Sequence, residues 1–113
     1  MTTIVKTLVP GHFLHTSVST HYTAPANTKA IPHNGTIANT ASSVAHTFTL
    51  YLVDVGASEA LKDVLVSSRV LAPLETYKCP ELVGKTISAT GTIRALCSST
   101  STLTFNVGGV EVV

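Results

Sequence analysis

The sequence predicts an all-β fold, a single antiparallel β-sandwich of jelly-roll or immunoglobulin-like type with some eight or nine short strands. Residues 44–55 alternate between two faces for ten positions, as in a strand with one side on a core. Shorter alternating segments, separated by turns rich in Pro, Gly and Ser, recur along the rest of the chain. No helical periodicity persists over ten residues.

The run 44–55 is expected to be the central strand, because it is the longest of its kind and is rich in β-branched and aromatic residues. One face of this strand would hold Val44, His46, Phe48, Leu50 and Leu52. The opposite face would hold Ala45, Thr47, Thr49, Tyr51 and Val53.

The segment before this strand predicts two or three strands. Residues 4–9 should form the first, ended by the turn signal Pro10-Gly11. Residues 12–22 alternate loosely, with Phe13 and Val18 expected inside. Residues 29–40 fit either a hairpin turning at Asn34-Gly35 or a single bent strand with a bulge at Gly35, and the nearby Pro32 favours the bent strand.

After the central strand, residues 56–63 are expected to form a loop with one helical turn that Ser58 could cap. Strands should follow at 64–71 and 76–79, then a tight turn at 80–83. Residues 85–89 and 91–97 should form two arms around Thr90-Gly91. The residues of these arms expected inside are Ile87, Ile93, Ala95 and Cys97.

The last predicted strand contains a change of phase. Leu103, Phe105 and Val107 alternate up to Gly108-Gly109, after which Val110 and Val112 take over in the opposite phase. A β-bulge at the paired glycines would produce this change.

The charge content limits the classes of partner. Charged residues make up only 12% of the 113 residues, against about 25% in an ordinary soluble domain. The chain instead contains 18 Thr and 11 Ser. This composition suggests that much of the surface packs against other subunits. The net charge of +1 is scattered, so the clustered Lys and Arg of a nucleic-acid interface are missing.

The first ten residues lack the pattern of a signal peptide, and no stretch approaches the ~18 consecutive apolar residues of a membrane span. We therefore expect a protein made in a cytosol, with no membrane as partner.

The sequence predicts no metal or cofactor site. His12, His15, His21, His33 and His46 lack the local spacing of zinc ligands. Ligands contributed by several subunits around a symmetry axis would escape this reasoning.

Cys97 falls in an apolar phase and should be a small core residue, whereas Cys79 precedes a proline and should be partly exposed. Without a secretion signal both thiols are expected to be reduced, so a disulfide between them is the less favoured alternative.

The sequence also predicts that the chain is not an enzyme. No Gly-x-Ser-x-Gly elbow is present. A carboxylate pair would have to come from residues that fall largely in loops and at strand ends: Asp54, Glu59, Asp63, Glu75, Glu81 and Glu111.

Several strand-and-turn phrases resemble small β-sandwich virion structural proteins of tailed bacteriophages. The resemblance covers about Tyr22 to Glu111 and concerns framework positions, so it transfers no site residues. The phrases lie at residues 22–31, 36–40, 48–53, 71–77, 80–83, 91–95 and 105–111.

The resemblance implies a non-enzymatic homo-oligomeric virion protein, assembled in the bacterial host cytoplasm as a trimer or larger ring. It would decorate or cement the capsid, or build the neck, collar or tail, in contact with the major capsid or neck and tail proteins. The sandwich would span residues 22–113, and residues 1–21 would be an N-terminal arm or first strand, with pairing to a neighbouring subunit as a hypothesis. The alternative is a carbohydrate- or receptor-binding module at a fibre or spike tip.

Overall fold

The computed structural model describes residues 3–53, 63–99 and 102–113, and in these residues the fold is all-β, as predicted. It contains eight strands, within the predicted number. The strands are β1 (Thr3–Phe13), β2 (Ser19–Thr23), β3 (Lys29–Asn39), β4 (His46–Val53), β5 (Val64–Leu71), β6 (Thr76–Tyr77), β7 (Thr92–Cys97) and β8 (Leu103–Val112).

The strands form two antiparallel four-stranded sheets. The first sheet has the order β1-β8-β3-β6 and the second the order β2-β7-β4-β5. Strand β1 pairs with β8, β2 with β7, β3 with β6, and β4 with β5. These nested pairs are those of one long hairpin rolled into two sheets, which is the jelly-roll topology. Of the two sandwich types left open by the sequence, the structure has the jelly roll.

The core lies between the two sheets. Phe48 and Leu50 of β4 are fully buried, and they belong to one core cluster with Phe105 of β8 in the first sheet. Strand β4 lies between β7 and β5, in agreement with its predicted central position. The inward predictions for Ile87, Ile93, Ala95 and Cys97 are confirmed.

Strand β1 is longer than predicted. The expected stop at Pro10-Gly11 is wrong, because a register shift between Val9 and His12 absorbs these residues while pairing with β8 continues to Phe13. Gly11 has a φ of 68°, which a glycine adopts at little cost. The inward prediction for Phe13 is also wrong: its side chain is 46% exposed, and Leu14 is buried instead.

Strand β3 is one continuous strand with a bulge, as favoured from the sequence. The irregularity lies between Pro32 and Asn34, so the extra residue is His33 rather than the expected Gly35. Gly35 keeps regular pairing with Val107 of β8.

The predicted phase change in β8 is wrong. The buried positions continue in step from Phe105 through Val107 and Gly109 to Glu111, so Val110 and Val112 face away from the core. The extra residues lie in the neighbouring strands, as Leu8 of β1 and His33 of β3. Gly109 permits the close approach of β3, since a Cβ there would lie 2.4 Å from the Ile31 carbonyl oxygen.

Two shorter predictions also need correction. Residues 85–89 form no arm with β7; Ile87 instead makes an isolated bridge with Ala30, exchanging backbone bonds of 2.7 and 2.9 Å. The strand predicted at 76–79 ends at Tyr77, and the turn predicted at 80–83 is confirmed. The loop predicted at 56–63, with Ser58 as its cap, lies almost wholly outside the described residues.

Residues 3–13 belong to a sheet of their own chain, paired with β8, and β2 runs across the predicted boundary at residue 22. Pairing of the N-terminal segment with a neighbouring subunit stays a prediction.

Candidate interaction surface

The outer face of the first sheet carries an apolar row across three strands. Val5 of β1 and Ile31 of β3 both stand opposite Val110 of β8, so the three side chains lie side by side. Val5 is 85% exposed, the highest value among the large apolar residues that the structure describes. Val110 and Ile31 are half-buried.

The rows on either side are almost uncharged. One consists of Thr3, Val112 and Lys29, and the other of Thr7, Gly108 and Asn34. Lys29, at the end of the sheet, is the one charged side chain in these three rows. We call these nine residues the outer face.

Glycines make a depression in the outer face. An open hollow of about 470 Å³ lies over Gly108 and Gly109, lined by Val5, Lys6 and Thr7 on one side and by His33 and Asn34 on the other. The Lys6 ammonium is paired with Glu111. The Asn34 side chain helps to hold the floor of the hollow, since its Oδ1 accepts a hydrogen bond from the Gly108 N–H at 3.3 Å. The apolar row thus projects beside a hollow wide enough to receive an aliphatic side chain.

Strand β1 forms one edge of the first sheet. Its backbone groups on the side away from β8 can pair with an added strand, as exposed sheet edges do. The outer face and this open edge are continuous through Val5.

A buried hydrogen-bonded group fixes the inner side of the same strands. The Tyr22 hydroxyl donates to Glu111 Oε2 at 2.5 Å, and Lys6 Nζ lies 3.5 Å from both carboxylate oxygens. Glu111 is 5% exposed. Burial, and then the bond to Glu111, raises the pKa of Tyr22 well above its usual range. Because Tyr22 lies in the second sheet, the group joins the two sheets.

Among the described residues, no group of three or more His, Cys, Asp or Glu side chains could already hold a metal ion. His12 and His21 nevertheless meet, with their Nδ1 atoms 3.2 Å apart. Burial, and then the charges of His12 and His15, lowers the pKa of His21 to about 4, so its ring is neutral at pH 7. His33 lies in the β3 bulge, and His46 lies 3.4 Å from the Ser98 hydroxyl.

Both cysteines are buried free thiols, so no disulfide joins them within the chain. The core position of Cys97 is confirmed, whereas the predicted partial exposure of Cys79 is wrong. Burial, and then the nearby Glu81, raises the pKa of the Cys79 thiol to about 12. Burial also raises the pKa of Cys97.

Three of the six carboxylates considered from the sequence have separate structural partners. Glu111 binds Tyr22, and Glu75 Oε1 accepts the Ala72 N–H at 2.8 Å. Glu81 accepts the Tyr77 hydroxyl at 2.5 Å. Asp54 and Glu59 lie outside the described residues.

The sequence reasoning missed the outer face because it assigned Val110 and Val112 to the core. Glu111 favoured this wrong assignment, because alternation followed straight through the glycines puts its carboxylate in phase with the buried Phe105 and Val107.

Comparison with protein-family models, with curated proteins and with solved structures gives no match. In the described part of the chain, no helix is long and apolar enough to cross a membrane.

Proposed function

We propose that this chain is a non-enzymatic structural protein of a tailed-bacteriophage virion, which associates with further copies of itself through the outer face. In this role it decorates or cements the capsid, or builds the neck, collar or tail. The observation that carries the proposal is the uncharged apolar row beside the open edge of β1, in which Val5 is 85% exposed.

A second copy of the chain fits this surface for an electrostatic reason. Because the apolar row of Val5, Val110 and Ile31 carries no charge, it can contact a neighbouring copy without repulsion between like charges, including in the head-to-tail contacts that close a ring. Apolar, weakly charged surface is also typical of permanent subunit interfaces. The hollow over Gly108 offers a place for an aliphatic side chain of the neighbouring copy.

The jelly-roll topology supports this role by analogy alone. Jelly rolls occur in viral capsid domains and in lectin domains, so the fold is compatible with both the proposed function and its alternative.

The tyrosines favour the structural role over carbohydrate binding. Tyr22 is buried, and one face of the Tyr77 ring is covered by Arg69, whose Cζ lies 4.3 Å from the ring centroid. Tyr51 is half-buried on β4. Tyr22 and Tyr77 therefore do not present the open aromatic faces on which sugars stack.

The experiment is the mass of the purified protein in solution by light scattering, for the wild type and two variants. We expect a trimer or larger ring for the wild type, and a monomer for Val5→Lys, which places charges in the contact. Val70→Lys is the matched control, because Val70 is 61% exposed on β5 of the other sheet. This control should assemble like the wild type.

A monomeric wild type would contradict self-association, and an assembled Val5→Lys variant would contradict the outer face as the contact. The virion assignment has its own test, a search for the chain in purified particles by cryo-microscopy.

A further inference from the structure

Two histidines meet where the chain crosses from one sheet to the other. His12 comes from the end of β1 in the first sheet and His21 from the middle of β2 in the second. Their ring centroids are 5.4 Å apart, and their Nδ1 atoms are separated by 3.2 Å.

The His21 ring is held in place on two further sides. It is 9% exposed and packs edge-on against Phe105, with ring centroids 5.6 Å apart and an interplanar angle of 89°. The Ser19 hydroxyl lies 3.2 Å from Nε2 and can accept its proton. In that tautomer Nδ1 keeps its lone pair toward His12, an arrangement that orients many metal-binding histidines.

The distance between the nitrogens suits a chelate. Two ligands at the 2.0–2.1 Å bond length of zinc, in tetrahedral geometry, lie about 3.3 Å from each other. The observed 3.2 Å matches this spacing, and rotation of the side chains would aim both lone pairs at one ion. A metal 2.0–2.1 Å from both atoms would lie beside the line that joins them, and its binding would displace any proton between them.

The pair opens onto a shallow hollow of about 420 Å³ that His15 also lines. His15 is exposed, so its side chain can rotate without disturbing the core. The lining of this hollow contains no carboxylate, and imidazole nitrogens alone favour Zn²⁺, Cu²⁺ or Ni²⁺ over Mg²⁺ or Ca²⁺.

We propose that His12 and His21 form a two-nitrogen binding site for a divalent transition metal such as Zn²⁺, with His15 recruited as third ligand and water completing the coordination. The bound ion would link the edge of the first sheet to that of the second.

The test is calorimetric titration of untagged protein with Zn²⁺, followed by titration with Co²⁺, whose visible absorption reports tetrahedral coordination. We expect one equivalent to bind, and binding to be lost in His12→Gln. His46→Gln is the matched control, since His46 lies by Ser98 and should leave binding unchanged. Ser19→Ala, which removes the partner of Nε2, should weaken binding by about tenfold.

A wild type that binds no Zn²⁺ would overturn the proposal, and so would full binding by His12→Gln. Equal loss in His46→Gln would show binding elsewhere and overturn it too. Unchanged affinity in His15→Gln would overturn the assignment of the third ligand. Thermal unfolding of each variant without metal confirms that it is folded, which separates lost ligands from a lost fold.

Discussion

Tyr22 and Glu111 show how one residue pair can hold two sheets together. The Tyr22 hydroxyl is the closest donor to a carboxylate that is 5% exposed, and Lys6 is 1 Å farther away, at 3.5 Å. Hydrogen bonds to charged groups contribute about 1.5–3 kcal/mol, and a buried acceptor left unpaired is costly.

Tyr22→Phe should therefore lower the free energy of unfolding by about 2 kcal/mol, measured by urea denaturation. Tyr51→Phe is the control, because the Tyr51 side chain on β4 is half-buried, and it should change the free energy of unfolding by less than about 0.5 kcal/mol. Equal effects in the two variants would show that the bond to Glu111 contributes little.

Cys79 and Cys97 should be unreactive in the folded protein. Both thiols are buried, and the raised pKa of Cys79, about 12, leaves almost no thiolate at pH 8. A colorimetric thiol reagent should detect no thiol before unfolding and two after it. Rapid labelling of the native protein would contradict this burial.

The same shift of pKa makes stability depend on pH on the alkaline side. Because folding favours the protonated thiol of Cys79, its contribution is complete below the unfolded pKa of 9 and is lost as the pH rises toward 12. The unfolding free energy of the wild type should thus fall more steeply between pH 9 and 12 than that of Cys79→Ala. Parallel profiles for the two proteins would contradict this linkage.

Strand β8 depends on a glycine to keep its neighbours in place. A Cβ on Gly109 would lie 2.4 Å from the Ile31 carbonyl oxygen and 2.9 Å from the Pro32 Cα, and backbone atoms cannot move aside as a side chain can. At Gly108 the nearest atom is the Asn34 Oδ1, at 3.1 Å, which can rotate away.

Gly109→Ala should therefore cost about 1–3 kcal/mol of unfolding free energy, and Gly108→Ala distinctly less. Thermal or urea unfolding of the two variants provides the measurement. A larger loss for Gly108→Ala would show that the close contact with β3 is not what constrains this strand.

Strands β4 and β8 show what could be predicted from the sequence and what could not. The alternation over residues 44–53 placed Phe48 and Leu50 on one face, and both are buried. At the ends it was wrong: Val44 of that face is 53% exposed and Val53 of the other face is 1% exposed, and pairing with β5 shifts register between Phe48 and Tyr51. In β8, Gly108 and Gly109 have no side chains, so the sequence there does not indicate which face points to the core. The bulges that settle it lie in β1 and β3, which are distant in sequence. Nothing local in β8 could show that its partners, rather than β8, contain the extra residues Leu8 and His33.

At the scale of the whole molecule, the spacing of the turns predicted a sandwich but could not order its strands. The order depends on pairs such as Thr3 with Val112, between residues at opposite ends of the chain. The metal site we propose was missed for the same reason, since His12 and His21 meet only because β1 and β2 lie at adjacent edges of different sheets.

The nested pairing of the strands also has a kinetic consequence. The hairpin of β4 and β5 closes the shortest loop, whereas β1 and β8 can pair only after nearly the whole chain has been brought together. We therefore expect folding to proceed from the inner pair outward and to be slow for a domain of this size. The apolar row is completed only when β1 pairs with β8, so copies of the chain would become able to associate only at the end of folding. This order would protect the chain from premature aggregation during synthesis.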